Sequence, residues 1–157
     1  MNIDLLVNRP EHIEDVAKMV YKEFVVPTNN KKTYEEVVEF FKGTSAEKFP
    51  ITFIANVNGK CVGTVSVFEN DLKERPQYKP WLASLYVDPS YRSQKIGFYL
   101  IKNLLKHMKT IGHTKVFLKT ENASAYYEKR GWKYIERVLN EQGKNVDIFK
   151  YTLSLLD

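Results

Sequence analysis

Long apolar runs are missing from this 157-residue chain, and cysteine is nearly missing. No apolar stretch reaches the roughly 18 residues that a membrane-spanning helix needs. The first residues also lack the basic and then apolar layout of a signal peptide. The single cysteine, Cys61, excludes an internal disulfide bond and fits a reducing compartment. We therefore expect a cytoplasmic protein without a membrane partner.

Neither sign of charge is concentrated in one part of the chain. Lys and Arg number 24 against 19 Asp and Glu, a formal net charge of +5, and the basic residues are spread out. A nucleic-acid surface usually shows as a basic patch or stripe, so we expect no nucleic-acid partner. The three histidines, His12, His107 and His113, lack the spacing of metal ligands, so we expect no metal.

The apolar residues predict eleven elements in the order β-α-α-β-β-β-α-β-α-β-β. Two local signals are strong: Thr33 and Glu36 form a capping box, and Asn58-Gly59 predicts a hairpin turn. The order of elements predicts a mixed sheet with helices on its faces. The predicted strands cover residues 5–7, 51–57, 61–69, 81–87, 115–119, 132–138 and 146–153, and the predicted helices cover 10–27, 33–43, 96–111 and 123–130.

A polar turn separates the buried strand 81–87 from the longest predicted helix. This arrangement presents backbone N–H groups and a helix dipole to an anion. Arg92 and Lys95 add charge, Ser93 and Gln94 add donors, and Gly97 allows a close approach. The turn is therefore a candidate phosphate site. From these residues alone, an ordinary loop with solvated charges remains the alternative.

Two sequence blocks resemble those of one enzyme family. The first, Val87-Asp88-Pro89-Ser90-Tyr91-Arg92-Ser93-Gln94-Lys95-Ile96-Gly97, resembles the acetyl-CoA loop of the GNAT (Gcn5-related) N-acetyltransferase superfamily. The second, Ala125-Tyr126-Tyr127-Glu128-Lys129-Arg130-Gly131-Trp132, is similar to a block that follows about thirty residues later in that family. The first block departs from the family pattern because Lys95 replaces a glycine and Phe98 follows Gly97.

The resemblance implies a GNAT-like fold of the α/β (α+β) class. We expect a single domain over residues 1–157. Its mixed, mostly antiparallel sheet would have six to seven strands with a parallel central pair, and about four helices would lie on its faces. By the resemblance, the strand before the anion turn carries a bulge and diverges from the next parallel strand.

The resemblance also implies acetyl-CoA as cosubstrate. Its pyrophosphate would lie on the turn, its pantetheine arm would follow the preceding strand, and the N–H of Leu85 would polarise the acetyl carbonyl. The residues assigned to the cofactor by this resemblance are Leu85, Tyr86, Val87, Arg92, Ser93, Gln94, Lys95, Ile96, Gly97, Phe98, Asn122 and Tyr127.

Acetyl transfer to an amine needs an acid for the leaving thiolate and a base for the amine. The resemblance assigns the acid to Tyr127. The strand 81–87 has no carboxylate, so the base is left open between Glu69 and Asp71.

We therefore expect an N-acetyltransferase that acts on a small-molecule or peptide amine by direct attack, as a monomer or homodimer. The alternative is a non-catalytic acyl-CoA-binding module with the same fold, suggested by Lys95 and by the missing strand carboxylate.

Overall fold

The structure is a computed structural model, and it describes residues 1–156. It contains seven strands and four α-helices within those residues, in the predicted order. The strands are β1 (Asn2–Leu5), β2 (Ile51–Val57), β3 (Lys60–Phe68), β4 (Trp81–Val87), β5 (Lys115–Thr120), β6 (Lys133–Leu139) and β7 (Asn145–Thr152), and the helices are α1 (Ile13–Val20), α2 (Tyr34–Lys42), α3 (Ile96–Thr110) and α4 (Ser124–Lys129).

The strands form one mixed sheet in the order β1-β2-β3-β4-β5-β7-β6. Strand β4 pairs with β5 in parallel at Trp81 and Phe117, whereas β1–β2, β2–β3, β5–β7 and β6–β7 are antiparallel. The predicted mixed sheet, its parallel pair and the central place of β4 are confirmed. None of the helices in residues 1–156 is long and apolar enough to cross a membrane.

The predicted position of the first strand is wrong. Residues 5–7 were expected to form it, but β1 ends at Leu5 and Leu6–Asn8 is a turn of 3₁₀ helix. The side chain of Asp4 explains the early end, because it accepts hydrogen bonds from the Leu5 N–H, the Asn8 side chain and Arg9. These local bonds compete with continued strand pairing.

Two local predictions are confirmed in detail. Thr33 Oγ1 accepts from the Glu36 N–H at 3.1 Å, and the Glu36 carboxylate accepts from the Thr33 N–H at 3.0 Å. Asn58 and Gly59 both have positive φ, at 51° and 82°. That pair of conformations is what a two-residue hairpin turn requires.

The chain divides into two compact units, and the boundary passes through β4 and through α3. The first unit comprises Met1–Val67 and Ser84–Leu104. In it, α1 packs against α2, and their apolar faces meet side chains of β2 and β3. The buried residues of this cluster are Leu6, Val16, Ala17, Val20, Val25, Val37, Phe41, Ile54 and Cys61.

The second unit comprises Phe68–Ala83 and Leu105–Asp157. Its buried cluster is formed by Leu72, Trp81, Phe117, Val138, Val146 and Ile148. The segment between β3 and β4, residues 69–80, lies over this cluster, and Tyr78 stacks on Phe117 with ring centroids 4.7 Å apart. Arg75 makes a bidentate ion pair with Glu136 of β6, at 2.9 and 2.7 Å, and the Tyr78 hydroxyl donates to the same carboxylate.

Candidate active site

Strand β4 changes character at Ser84. Trp81, Leu82 and Ala83 are buried, whereas Leu85, Tyr86 and Val87 are half-buried although they are mostly apolar. Ser84 has φ 55°, which is rare for a non-glycine residue inside a strand. A left-handed residue at this point is typical of a β-bulge, the irregularity expected in this strand. The apolar residues after it are therefore accessible at the centre of a sheet.

Hydrogen bonds connect the turn after β4 to β3 and to the end of β4. The Asp88 N–H donates to Val62 O at 2.8 Å, and the Asp88 carboxylate accepts from the Ser90 N–H at 2.9 Å. Arg92 Nε donates to Val87 O at 2.9 Å, and its guanidinium lies 5.5 Å from the Tyr86 ring centroid. Asp88 and Arg92 thus hold the turn in place.

Two residues of the turn have left-handed backbones without being glycine. Ser93 has φ 66° and Lys95 has φ 62°, and the side chains of residues 92–95 are exposed. Lys95, which stands where the family pattern has a glycine, therefore adopts a backbone conformation that favours glycine. Such conformations cost about 1–2 kcal/mol for residues with a Cβ, and they occur mainly at functional sites.

The backbone N–H groups at this turn are available to a ligand. The first helical hydrogen bond of α3 runs from the Tyr99 N–H to Lys95 O, at 3.1 Å. Within residues 1–156, no backbone acceptor is found for the N–H groups of residues 95–98. A run of such donors at the start of a helix forms a concave anion site.

The first residues of α3 differ in burial. Ile96 is only 3% exposed, so its side chain is part of the core. A Cβ added at Gly97 would meet only a methyl group of Val87, at 3.9 Å. The fold therefore does not require glycine at position 97. Phe98 is partly exposed and makes an edge contact with Tyr99.

Tyr127 lies on α4 among aromatic rings in the second unit. Its ring centroid is 6.0 Å from that of Trp132 and 6.3 Å from that of Phe149. Burial, and next the neighbouring Tyr126, raises the pKa of the Tyr127 phenol above 10.0. No hydrogen-bond partner of its hydroxyl is found in the described part of the chain. Tyr127 is thus a protonated phenol with a free hydroxyl at neutral pH.

The two carboxylates considered as base differ in their surroundings. Glu69 is 59% exposed, and its carboxylate is 3.7 Å from Lys79 Nζ. Asp71 is 24% exposed, and its carboxylate is 3.3 Å from Lys119 Nζ on β5. Lys119 also donates to the main-chain oxygen of Asp71. Burial raises the pKa of Asp71 above 3.8 and outweighs the opposing effect of Lys119.

Asp71 and Tyr127 lie on opposite faces of the sheet formed by β5, β7 and β6. Lys119 pairs with Ile148 across β5 and β7, whereas Leu118 pairs with Phe149. Residues directly opposite each other share a face, and successive residues alternate. Asp71 contacts Lys119 on the first face, and Tyr127 packs on Phe149 on the second.

The remaining candidate groups are Asn122, Cys61 and possible metal ligands. Asn122 is exposed in the segment between β5 and α4. Cys61 is buried, and burial raises its pKa to about 12, which excludes it as a nucleophile at neutral pH. Residues 1–156 contain no group of three or more His, Cys, Asp or Glu side chains suited to a metal ion.

The sequence interpretation did not include Lys119 or Asp147. Lys119 forms the ion pair with Asp71, and Asp147 of β7 is a buried carboxylate that contacts Ser124 at the start of α4. One signal was available for Asp147: it interrupts the otherwise apolar start of a strand, Val146-Asp147-Ile148. A charged residue in such a run is rarely buried without a partner.

Comparison with known families identifies the class of enzyme. The family model "Acetyltransferase (GNAT) family" matches residues 13–132, which is most of the chain. This chain therefore belongs to the GNAT acetyltransferase family and is an acetyltransferase.

Individual relatives are distant but cover nearly the whole chain. N-alpha-acetyltransferase 30 of Schizosaccharomyces pombe is 24% identical over 147 residues, which cover 91% of this chain and 92% of that protein. A crystal structure of an aminoglycoside 6'-N-acetyltransferase complexed with coenzyme A is similar with TM-score 0.74 and 20% identity, over 98% of this chain and 97% of the other. An N-acetyltransferase from Staphylococcus aureus Mu50 has TM-score 0.75 and 17% identity, over 98% and 99% of the two chains. At these identities the structural matches establish the GNAT fold.

Proposed function

We propose that this protein is an acetyl-CoA-dependent N-acetyltransferase that transfers the acetyl group directly to a primary amine. The observation that carries the proposal is the turn of residues 92–97. Its left-handed Ser93 and Lys95 and the unbonded N–H groups of residues 95–98 suit a pyrophosphate, and Gly97 leaves the approach open. The ammonium of Lys95 adds charge to the same place.

The pantetheine arm would follow the second half of β4. Leu85, Tyr86 and Val87 are apolar and half-exposed, so an apolar ligand would cover them. The N–H of Leu85 would donate to the acetyl oxygen. Attack on a thioester builds negative charge on that oxygen, and a donor that is already oriented stabilises the charge without reorganisation.

Tyr127 would be the general acid. As the C–N bond forms and the C–S bond breaks, the thiolate sulfur takes the phenolic proton, and the second proton that the amine nitrogen loses restores the phenol. The raised pKa of Tyr127 supports this assignment, because the phenol is in its protonated form over the whole neutral range. The aromatic rings of Trp132 and Phe149 pack against the phenol ring and restrict its orientation.

Asp71 is the better candidate for the base, and Glu69 the weaker one. A base whose pKa is raised by burial removes a proton from an ammonium more effectively than an exposed carboxylate does. The amine would then lose its proton on the face of β5 that carries Lys119, and the sulfur would leave on the face that carries Tyr127. The acceptor would be a primary amine, either a small molecule or a peptide.

A paired measurement of binding and turnover tests the proposal. Calorimetry with acetyl-CoA should give one site per chain, and CoA-thiol release should depend on an amine from a panel of aminoglycosides, polyamines and peptides with free N-termini or lysines. Tyr127→Phe should lower kcat about a hundredfold while leaving the acetyl-CoA Kd unchanged. Absence of binding would refute the proposal, and binding without turnover on a broad panel would favour the non-catalytic module.

The same assay separates the two base candidates. Asp71→Asn should lower kcat/KM for the amine about a hundredfold at neutral pH, whereas Glu69→Gln should change it less than about threefold. Equal losses in both variants would remove the assignment of Asp71.

A further inference from the structure

A buried carboxylate lies at the start of the helix that carries Tyr127. Asp147 of β7 is 8% exposed. Its Oδ2 accepts from Ser124 Oγ at 2.6 Å, and Arg137 Nε of β6 donates to its Oδ1 at 2.8 Å. Arg137, and next Ser124, lowers the pKa of Asp147 below 3.8, so the carboxylate is charged at neutral pH. Burial of a charge is costly unless it is paired, and here Arg137 provides the pair.

A second contact holds the adjacent residue of the same segment. Thr120 of β5 lies directly opposite Asp147 in the strand register. Its Oγ1 accepts from the Ala123 N–H at 3.0 Å. The carbonyl of Ala123 in turn accepts from the Tyr127 N–H at 3.2 Å. Two opposed strand residues thus hold Ala123 and Ser124, and one helical hydrogen bond links this pair to Tyr127.

Helix α4 needs such contacts because it is short. It spans six residues, Ser124–Lys129. Isolated helices of this length are not stable in water, so tertiary contacts determine their orientation. Polar contacts fix the start of α4, and the packing of Tyr127 on Trp132 and Phe149 fixes its middle. A rotation of the helix start would therefore displace the Tyr127 hydroxyl.

We propose that Asp147 is a positioning residue for acetyl transfer, which orients the Tyr127 hydroxyl by holding Ser124 at the start of α4. This inference rests on the proposed role of Tyr127. It assigns Asp147 no contact with acetyl-CoA or the amine. Loss of the carboxylate charge should therefore lower the rate of the chemical step and leave acetyl-CoA binding unchanged.

A double-mutant cycle tests the proposal. Asp147→Asn should lower kcat about ten- to a hundredfold in the parent, with the KM for acetyl-CoA unchanged within about twofold. In a Tyr127→Phe background the same substitution should change kcat less than about twofold, because the group that it positions is already absent. An equal loss in both backgrounds would mean general structural damage and would overturn the proposal.

Two further variants keep the test decisive. Ser124→Ala removes only the hydroxyl that Asp147 holds, so it should show the same dependence on Tyr127 even if Asp147→Asn folds poorly. Asp4→Asn is the matched control, because Asp4 is also a carboxylate with an Arg partner and a lowered pKa, but it belongs to β1. It should leave kcat unchanged in both backgrounds.

The cycle also separates two kinds of failure. If Tyr127→Phe alone is fully active, the proposed role of Tyr127 is wrong. If Tyr127→Phe is slow but Asp147→Asn and Ser124→Ala match the parent, only the positioning role is wrong.

Discussion

The turn of residues 92–97 and helix α4 differ in the atoms that they offer to a ligand. The turn offers backbone N–H groups, and the side chains of residues 93–95 are exposed. Helix α4 offers one side chain, Tyr127, whose ring packs against other aromatic rings and whose helix is held by polar contacts at its start. Substitutions of residues 93–95 that leave the backbone N–H groups accessible should therefore have small effects on binding and stability. Substitutions of Tyr127, or of the residues that pack against it, should have large effects on turnover or stability.

The largest effect should come from removing a ring beside Tyr127. Trp132 is almost fully buried, its backbone N–H donates to the backbone oxygen of Tyr127 at 3.1 Å, and its ring also contacts Tyr151. Trp132→Ala should lower the free energy of unfolding by about 3–5 kcal/mol. Urea denaturation measures this loss. Gln94→Ala in the turn should change stability by less than ~0.5 kcal/mol, and a comparable loss there would break the contrast.

Gly97→Ala should weaken acetyl-CoA binding without weakening the fold. The added Cβ has room against Val87, but it would stand where a phosphate approaches the backbone. We expect the Kd to rise about tenfold or more, and the thermal midpoint to stay unchanged. Tyr127→Phe should leave the Kd for acetyl-CoA unchanged in the same calorimetric assay. An unchanged Kd for Gly97→Ala would place the pyrophosphate elsewhere.

Two substitutions of Lys95 separate backbone strain from charge. Lys95→Ala removes the ammonium and keeps a Cβ at φ 62°, whereas Lys95→Gly removes both. Lys95→Gly should be about 1 kcal/mol more stable than Lys95→Ala to denaturation by urea. Both variants should bind acetyl-CoA a few times more weakly if the ammonium contacts a phosphate. Equal stability of the two would show that the turn stores no strain.

The smallest effect concerns acid, and it should arise at Glu136 in the second unit. Arg75, and next Tyr78, lowers the pKa of Glu136 from 4.5 to about 2. Because the folded-state pKa is depressed, this stabilisation is complete above pH 4.5 and is lost as the pH falls from 4.5 towards 2. Glu136→Gln should flatten the pH dependence of stability in that interval, as measured by urea titrations at several pH values. An unaltered slope would contradict the assignment.

Short-range signals predicted the local structure well. The capping box at Thr33 and Glu36 and the turn at Asn58 and Gly59 were predictable because each depends on residues within four positions of each other. The first strand was misplaced for a related reason: its apolar residues were counted, but the local hydrogen bonds of Asp4 ended the strand first.

The backbone of the candidate site was much less predictable. Positive φ is indicated in a sequence by glycine or asparagine, whereas here it occurs at Ser84, Ser93 and Lys95. The partners of Asp71 and Asp147 were also hidden, because Lys119 and Ser124 are distant in the sequence and meet them only after the strands pair. The two sequence blocks predicted that a cofactor binds at the turn. They did not predict that Ser93 and Lys95 would adopt the left-handed backbone conformations there.

The buried thiol of Cys61 has a practical consequence for enzymology. Its S–H points to Gly63 O at 3.8 Å, and its pKa of about 12 leaves almost no thiolate at neutral pH. Reagents that report free thiols should therefore register the CoA released at each turnover against almost no background from the native enzyme. A cysteine introduced on the surface would be the single labelling position of the folded chain, which opens the anion turn to fluorescent or spin reporters.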